Sequence, residues 1–102
     1  MKTIKDLKIG EICYLLNENT VVDVKVADIK ISMETGVYVV KFILDNVECE
    51  PEIRAGHPNE SVFHSVSGVI YLELKQIINI LTIKAKSIQK EIERLKLKEE
   101  RK

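Results

Sequence analysis

The sequence predicts an α+β protein: a small bent antiparallel sheet or barrel in residues 1–65, followed by one long C-terminal α-helix in residues 66–102. Three observations carry that prediction. Short runs of apolar residues, separated by clusters of Asn, Asp, Gly and Glu, fill the first two thirds of the chain as strands separated by turns do. The alternation of one long run changes phase at Ala27-Asp28, the mark of a strand that bends. From Tyr71 onward apolar residues recur every three or four positions, which is a helical seam.

Taken in order, Thr3 to Lys8 reads as a single turn or short lead-in before Gly10, and Glu11 to Leu16 as the first strand. Asn17-Glu18-Asn19 makes the turn into Thr20 to Met33, where Val22, Val24 and Val26 share one face. The apolar set resumes at Ile29, Ile31 and Met33, three residues after Val26 instead of two. Keeping both sets on one core requires a bulge or bend between them. After Glu34-Thr35-Gly36, Val37 to Leu44 is apolar on both faces, as a central or covered strand is. Asp45-Asn46 reads as a hairpin turn, and Val47 to Glu52 as a strand with Cys49 on one face and Glu48, Glu50 and Glu52 on the other, in water. Pro51 ends that strand or marks an edge. Ile53 to Glu60, with Gly56 and Pro58, reads as the longest loop, and Val62-Phe63-His64 as a short closing strand, giving five or six strands in all.

Ser65 or Ser67 serves as helix N-cap in this reading, with the helix starting within residues 66–69. The seam then has Tyr71, Ile78, Ala85 and Ile92 at a, and Leu74, Leu81, Ile88 and Leu95 at d. Outside the seam, Ile70, Ile77, Ile80 and Ile83 make the first half apolar over a wide arc. That half is expected to cover the barrel, chiefly through Ile70, Leu74, Ile77 and Leu81, and the narrow second half to meet a partner. The candidate interface is therefore Leu74, Ile78, Leu81, Ala85, Ile88, Ile92 and Leu95, with Glu91 at g placed to reach Lys96 at e of a parallel neighbour.

The chain has 102 residues, room for one domain, with 45% hydrophobic and 31% charged residues and no formal net charge. The charge is unevenly spread: residues 1–65 carry 7 Lys and Arg against 11 Asp and Glu, and residues 66–102 carry 9 against 5. An acidic front half argues against its gripping a phosphate backbone. Contacts to nucleic acid, if any, fall to Lys84, Lys86, Lys90, Arg94 and Lys98 on the helix, but interspersed Glu and the lack of an aromatic after Tyr71 favour a solvated exterior instead. The charged N-terminus lacks a signal-peptide core, and no apolar run reaches the roughly 18 residues of a membrane span. A cytoplasmic protein with no membrane contact is expected.

Candidate chemistry is sparse. Cys13, Cys49, His57 and His64 are the right residue types for zinc, but neither a C-x-x-C nor a pair of His three to five apart occurs, so the cysteines are read as buried thiols. Ser61, His64, Ser65 and Ser67 lie near one another in sequence without a motif that would present a nucleophile, and capping is the simpler use. With only four glycines, no phosphate-binding loop is present. No catalytic residue, metal or cofactor is assigned.

The opening Leu7-Lys8-Ile9-Gly10-Glu11-Ile12-Cys13-Tyr14, the bent strand pair and Val62-Phe63 leading into a helix resemble, over residues 7 to 75, the small SH3-like or Tudor-like barrel proteins with a C-terminal helix found in bacteriophage and mobile-element genomes. The resemblance implies a protein that works by contact, as an adaptor, virion component, inhibitor or nucleic-acid binder. The ligand-binding aromatic patch of such barrels is thin here, since Tyr14, Tyr38, Phe42 and Phe63 are the only aromatics of the β part and most are expected in the core. The expectation is a non-enzymatic interaction protein that forms a homo-oligomer or docks on a larger assembly through its helix, with nucleic-acid binding by the basic helix as the alternative.

Overall fold

A computed structural model describes residues 1–44, 50–65 and 68–100. A 3-10 turn at Ile4–Asp6 leads into strands β1 (Ile12–Asn17), β2 (Thr20–Ile31), β3 (Tyr38–Leu44), β4 (Glu52–Gly56), β5 (Val62–Phe63) and β6 (Val69–Tyr71), and then helix α1 (Leu74–Glu100). The strands form one antiparallel sheet in the order β4-β3-β2-β1-β6-β5. Its two end strands approach each other: a Cβ on Gly56 of β4 would lie 3.3 Å from the Phe63 ring of β5. The sheet is thus a nearly closed barrel, and the α+β class predicted from the sequence is the class observed.

The phase change at Ala27 is the bulge it resembles. Val26 pairs with Phe42, and the next pair is Asp28 with Lys41, so one residue is absorbed and Ile29 returns to the inner face opposite Val40. Glu18-Asn19 closes the β1–β2 hairpin, with Glu18 at φ 56°, a conformation uncommon outside Gly, Asn and Asp. The β2–β3 turn is held by the Ser32 N–H donating to the Val37 carbonyl at 2.9 Å and the Gly36 N–H to the Ser32 carbonyl at 2.8 Å. Inside lie Ile4, Cys13, Val24, Val26, Val40, Phe42, Phe63 and Ile70, all essentially inaccessible. The rings of Phe42 and Phe63 meet edge to face with centroids 5.4 Å apart, the arrangement ring quadrupoles favour. The 3-10 turn plugs one end through Ile4, whose N–H donates to the Glu60 carbonyl at 2.9 Å.

Three expectations are corrected. Residues 53–56, expected within the longest loop, form β4 together with Glu52, pairing with β3 from Phe42–Glu52 to Tyr38–Gly56. The inward residue of this strand is Arg54, so the run lacks the apolar alternation that marks a strand. Of the expected strand from Val47 to Glu52, Glu52 belongs to β4 and Glu50 and Pro51 are exposed outside it, while Val47, Glu48, Cys49 and the Asp45-Asn46 turn lie outside the described residues. Last, the helix starts at Leu74 instead of within residues 66–69. Val69, Ile70 and Tyr71 instead pair with Leu16, Leu15 and Tyr14 of β1. Branched and aromatic side chains favour this pleated surface, and Gly68, at φ 137°, holds a backbone no right-handed helix accepts. Tyr71 is accordingly outside the helix, Ser65 does not cap it, and Ser67 lies outside the described residues.

Candidate association surface

Helix α1 starts where the chain leaves the sheet. Gln76 fastens that start: its Oε1 accepts the Glu73 N–H at 2.9 Å, half of a capping box, and its Nε2 donates to the Ser61 carbonyl at 3.3 Å. The Lys2 N–H donates to Glu73 Oε1 at 2.9 Å, tying the N-terminus to the same junction, and Lys2 Nζ pairs with Glu11. The Lys75 ammonium 2.9 Å away and, after it, the Lys2 N–H hold the Glu73 carboxyl below its usual pKa.

Only the first turns of the helix meet the barrel. Ile77 is buried, and Ile80 and Leu81 are half-buried. Lys84 Nζ reaches Asn19 Oδ1 in the β1–β2 turn at 3.3 Å. From Thr82 to Glu100 every residue is exposed. Two of the residues expected to cover the barrel differ from that expectation: Ile70 covers it from β6, and Leu74 remains 45% exposed.

The remaining seam faces solvent. Relative exposure is 45% at Leu74, 57% at Ile78, 59% at Ile88, 41% at Ile92 and 49% at Leu95, with Ala85 also exposed between them. Only Leu81, beside Ile77, is partly covered. The helix has 27 residues, about 40 Å at 1.5 Å per residue. The molecule measures 65 × 30 × 21 Å with a radius of gyration of 17.9 Å, whereas a compact chain of this length has about 13 Å. The difference is the helix, which carries an apolar stripe away from the core.

The charged flanks are ordered by neighbours along the helix. Arg94 Nε donates to both oxygens of Glu91, at 3.2 and 3.1 Å. That pair pulls the Glu91 carboxyl down and the Arg94 guanidinium up from their usual pKa values. All five basic residues proposed for nucleic-acid contact are exposed. By helical position Lys86, Lys90 and Arg94 lie away from the seam, while Lys84 and Lys98 border it. Arg94 is engaged by Glu91 and Lys84 by Asn19.

Of the residues weighed for chemistry, Cys49 and Ser67 lie outside the described residues. Cys13 is in the core, its thiol pushed up to about 11 by burial against a small opposing effect of Lys2. His57 and His64 are exposed. Among the described residues no group of three or more His, Cys, Asp and Glu is arranged to hold a metal ion. Tyr14 and Tyr38 are half-buried and Phe42 and Phe63 fully buried, so the barrel shows no exposed aromatic patch among them. Among the described residues, one groove of about 430 Å³ lies between Met1, Tyr71 and Ile80, and another of about 180 Å³ lies on the outer sheet face beside Val39 and Ile53.

The residue missed from the sequence is Arg54. It is 4% exposed, its Nε donates to Glu52 Oε2 at 3.0 Å, and its Nη1 donates to the Gly68 carbonyl at 2.9 Å. It ties β4 to the segment entering β6, across the gap the sheet leaves open. Glu52, expected to be simply solvated, is its partner. An isolated Arg after an Ile carries no local sign of burial.

Barrel and helix together define the class: a nearly closed six-stranded antiparallel barrel, compatible with an SH3-like fold, carrying one long C-terminal helix. No helix among the described residues is long and apolar enough to cross a membrane. No known protein family, curated protein or solved structure matches the chain.

Proposed function

We propose that this chain acts by contact and not by catalysis, as an assembly protein whose C-terminal helix joins it to a second copy through Leu74, Ile78, Leu81, Ala85, Ile88, Ile92 and Leu95. The observation that supports this reading is the exposure of a regular aliphatic seam along a helix that its own barrel covers only in its first turns. The resemblance to SH3-like barrel proteins that work as adaptors, virion components or inhibitors points the same way.

Magnitudes decide how much of the seam is needed. Burying the exposed half of a Leu or Ile side chain is worth about 1 kcal/mol. Six such residues on each of two helices amount to roughly 12 kcal/mol, against an association cost of about 4 to 15 kcal/mol. The margin is narrow, so the whole seam must engage. Ile88→Asp with Ile92→Asp in the full chain therefore reduces the solution mass, measured by light scattering, from an oligomer to a monomer, with the barrel still folded. A wild-type chain that is already monomeric at high concentration sinks the reading.

A further inference from the structure

We infer that the pairing is parallel, in register and two-stranded, with the two barrels at the same end of the helix pair; this rests on the self-association reading above. The first support is the helix start. With Tyr71 held in β6, the seam keeps Ile78, Ala85 and Ile92 at a, and Leu74, Leu81, Ile88 and Leu95 at d. Branched residues at a with Leu at d favour two parallel strands, and two of three a positions and three of four d positions now fit. Ala85 provides one thin layer in the middle.

The second support is where the barrel sits. Bundles of three or more helices bury a wider face, including the g edge. Here the chain's own barrel already takes that edge, since Ile77 at g is buried and Lys84 at g reaches Asn19. Two strands need only the a and d stripe, which is the open one. A two-fold axis along the pair then puts the barrels on opposite sides of it.

The third support is charge. In the parallel alignment Glu91 at g faces Lys96 at e of the second copy, twice by symmetry, Lys84 faces the neutral Gln89, and no like charges meet. Arg94 also donates to the Glu91 carboxylate, from the side away from the seam. The antiparallel alignment with Ala85 opposite Ile88 joins Lys84 to Glu91 twice, but sets Lys75 against Lys96 twice and presses Lys98 toward the barrel-covered Ile77. The acidic front and basic back of the chain favour head-to-tail contact at long range, but beyond about 8 Å this is screened at physiological salt. The local pairs decide.

The test is Lys96→Glu in the full chain, alone and with Glu91→Lys, followed by sedimentation equilibrium. Both positions are exposed, so the fold is untouched, and circular dichroism checks this. Two attractions turned into repulsions weaken the parallel dimer by roughly tenfold in Kd, and the double variant restores it. In the antiparallel pair Lys96→Glu instead removes the Lys75 repulsion and tightens binding, which overturns the inference while leaving self-association standing. A wild-type mass of three or more copies also overturns it. A monomeric wild type removes the self-association reading itself.

Discussion

Arg54 is the residue on which barrel closure turns. A guanidinium leaves water at a cost of several kcal/mol, offset here by a carboxylate on one side and a backbone carbonyl on the other. Glu52 is 41% exposed, so its charge is screened and the Gly68 carbonyl loses more than Glu52 does if Arg54 is removed. Arg54→Ala is expected to cost about 2 to 3 kcal/mol, read as a lower urea midpoint. Arg54→Lys recovers only part of this, because one ammonium cannot replace a planar fork that reaches both Glu52 and the Gly68 carbonyl.

Cys13 gives a second prediction at this scale, with its sign set by burial. Its folded thiol titrates at about 11 against 9.0 for a free one, so the neutral form belongs to the folded state. The stability linked to it is fully present below pH 9 and is lost as pH rises from about 9 to 11, by about 2 to 3 kcal/mol. Urea unfolding of wild type and Cys13→Ala across that range checks it. The wild type should lose more stability than the variant.

Among the elements, β4 and α1 teach opposite lessons. β4 lies close to its neighbours across the gap: a Cβ on Gly56 would stand 2.6 Å from Ile4 Cδ1 and 3.3 Å from the Phe63 ring. Both neighbours are inaccessible core residues and have little room to give. Gly56→Val is expected to lower stability by about 1 to 3 kcal/mol through overpacking, shown by a lower thermal midpoint. Helix α1 was legible as a helix from its three-four spacing alone. Its start was not, because Tyr71 falls on the same spacing while its neighbour Ile70 belongs in the barrel core. The bulge at Ala27 was legible because one unpaired residue shifts every later side chain to the other face.

On the scale of the molecule, the barrel and the helix divide the work. The barrel closes on its own apolar interior, with the 3-10 turn, Gln76 and Arg54 fixing its ends and its gap. The helix leaves it with one stripe buried and another exposed. Both the self-association test and the charge-reversal test follow from that division: the first asks whether the exposed stripe is covered in solution, the second which way round.

The candidate surface was thus partly written in local spacing. Periods of two and of three to four, and the phase shift at Ala27, identify the central strands, the bend, the helix and its seam from neighbours a few residues apart. Tertiary structure decided the rest: that Arg54 points inward, that residues 69–71 complete the sheet, and that Ile77 is covered while Ile78, Ile88 and Ile92 are not. Those outcomes depend on which distant segments close the barrel. Residues far apart in the chain meet only after folding, and no local period records the meeting.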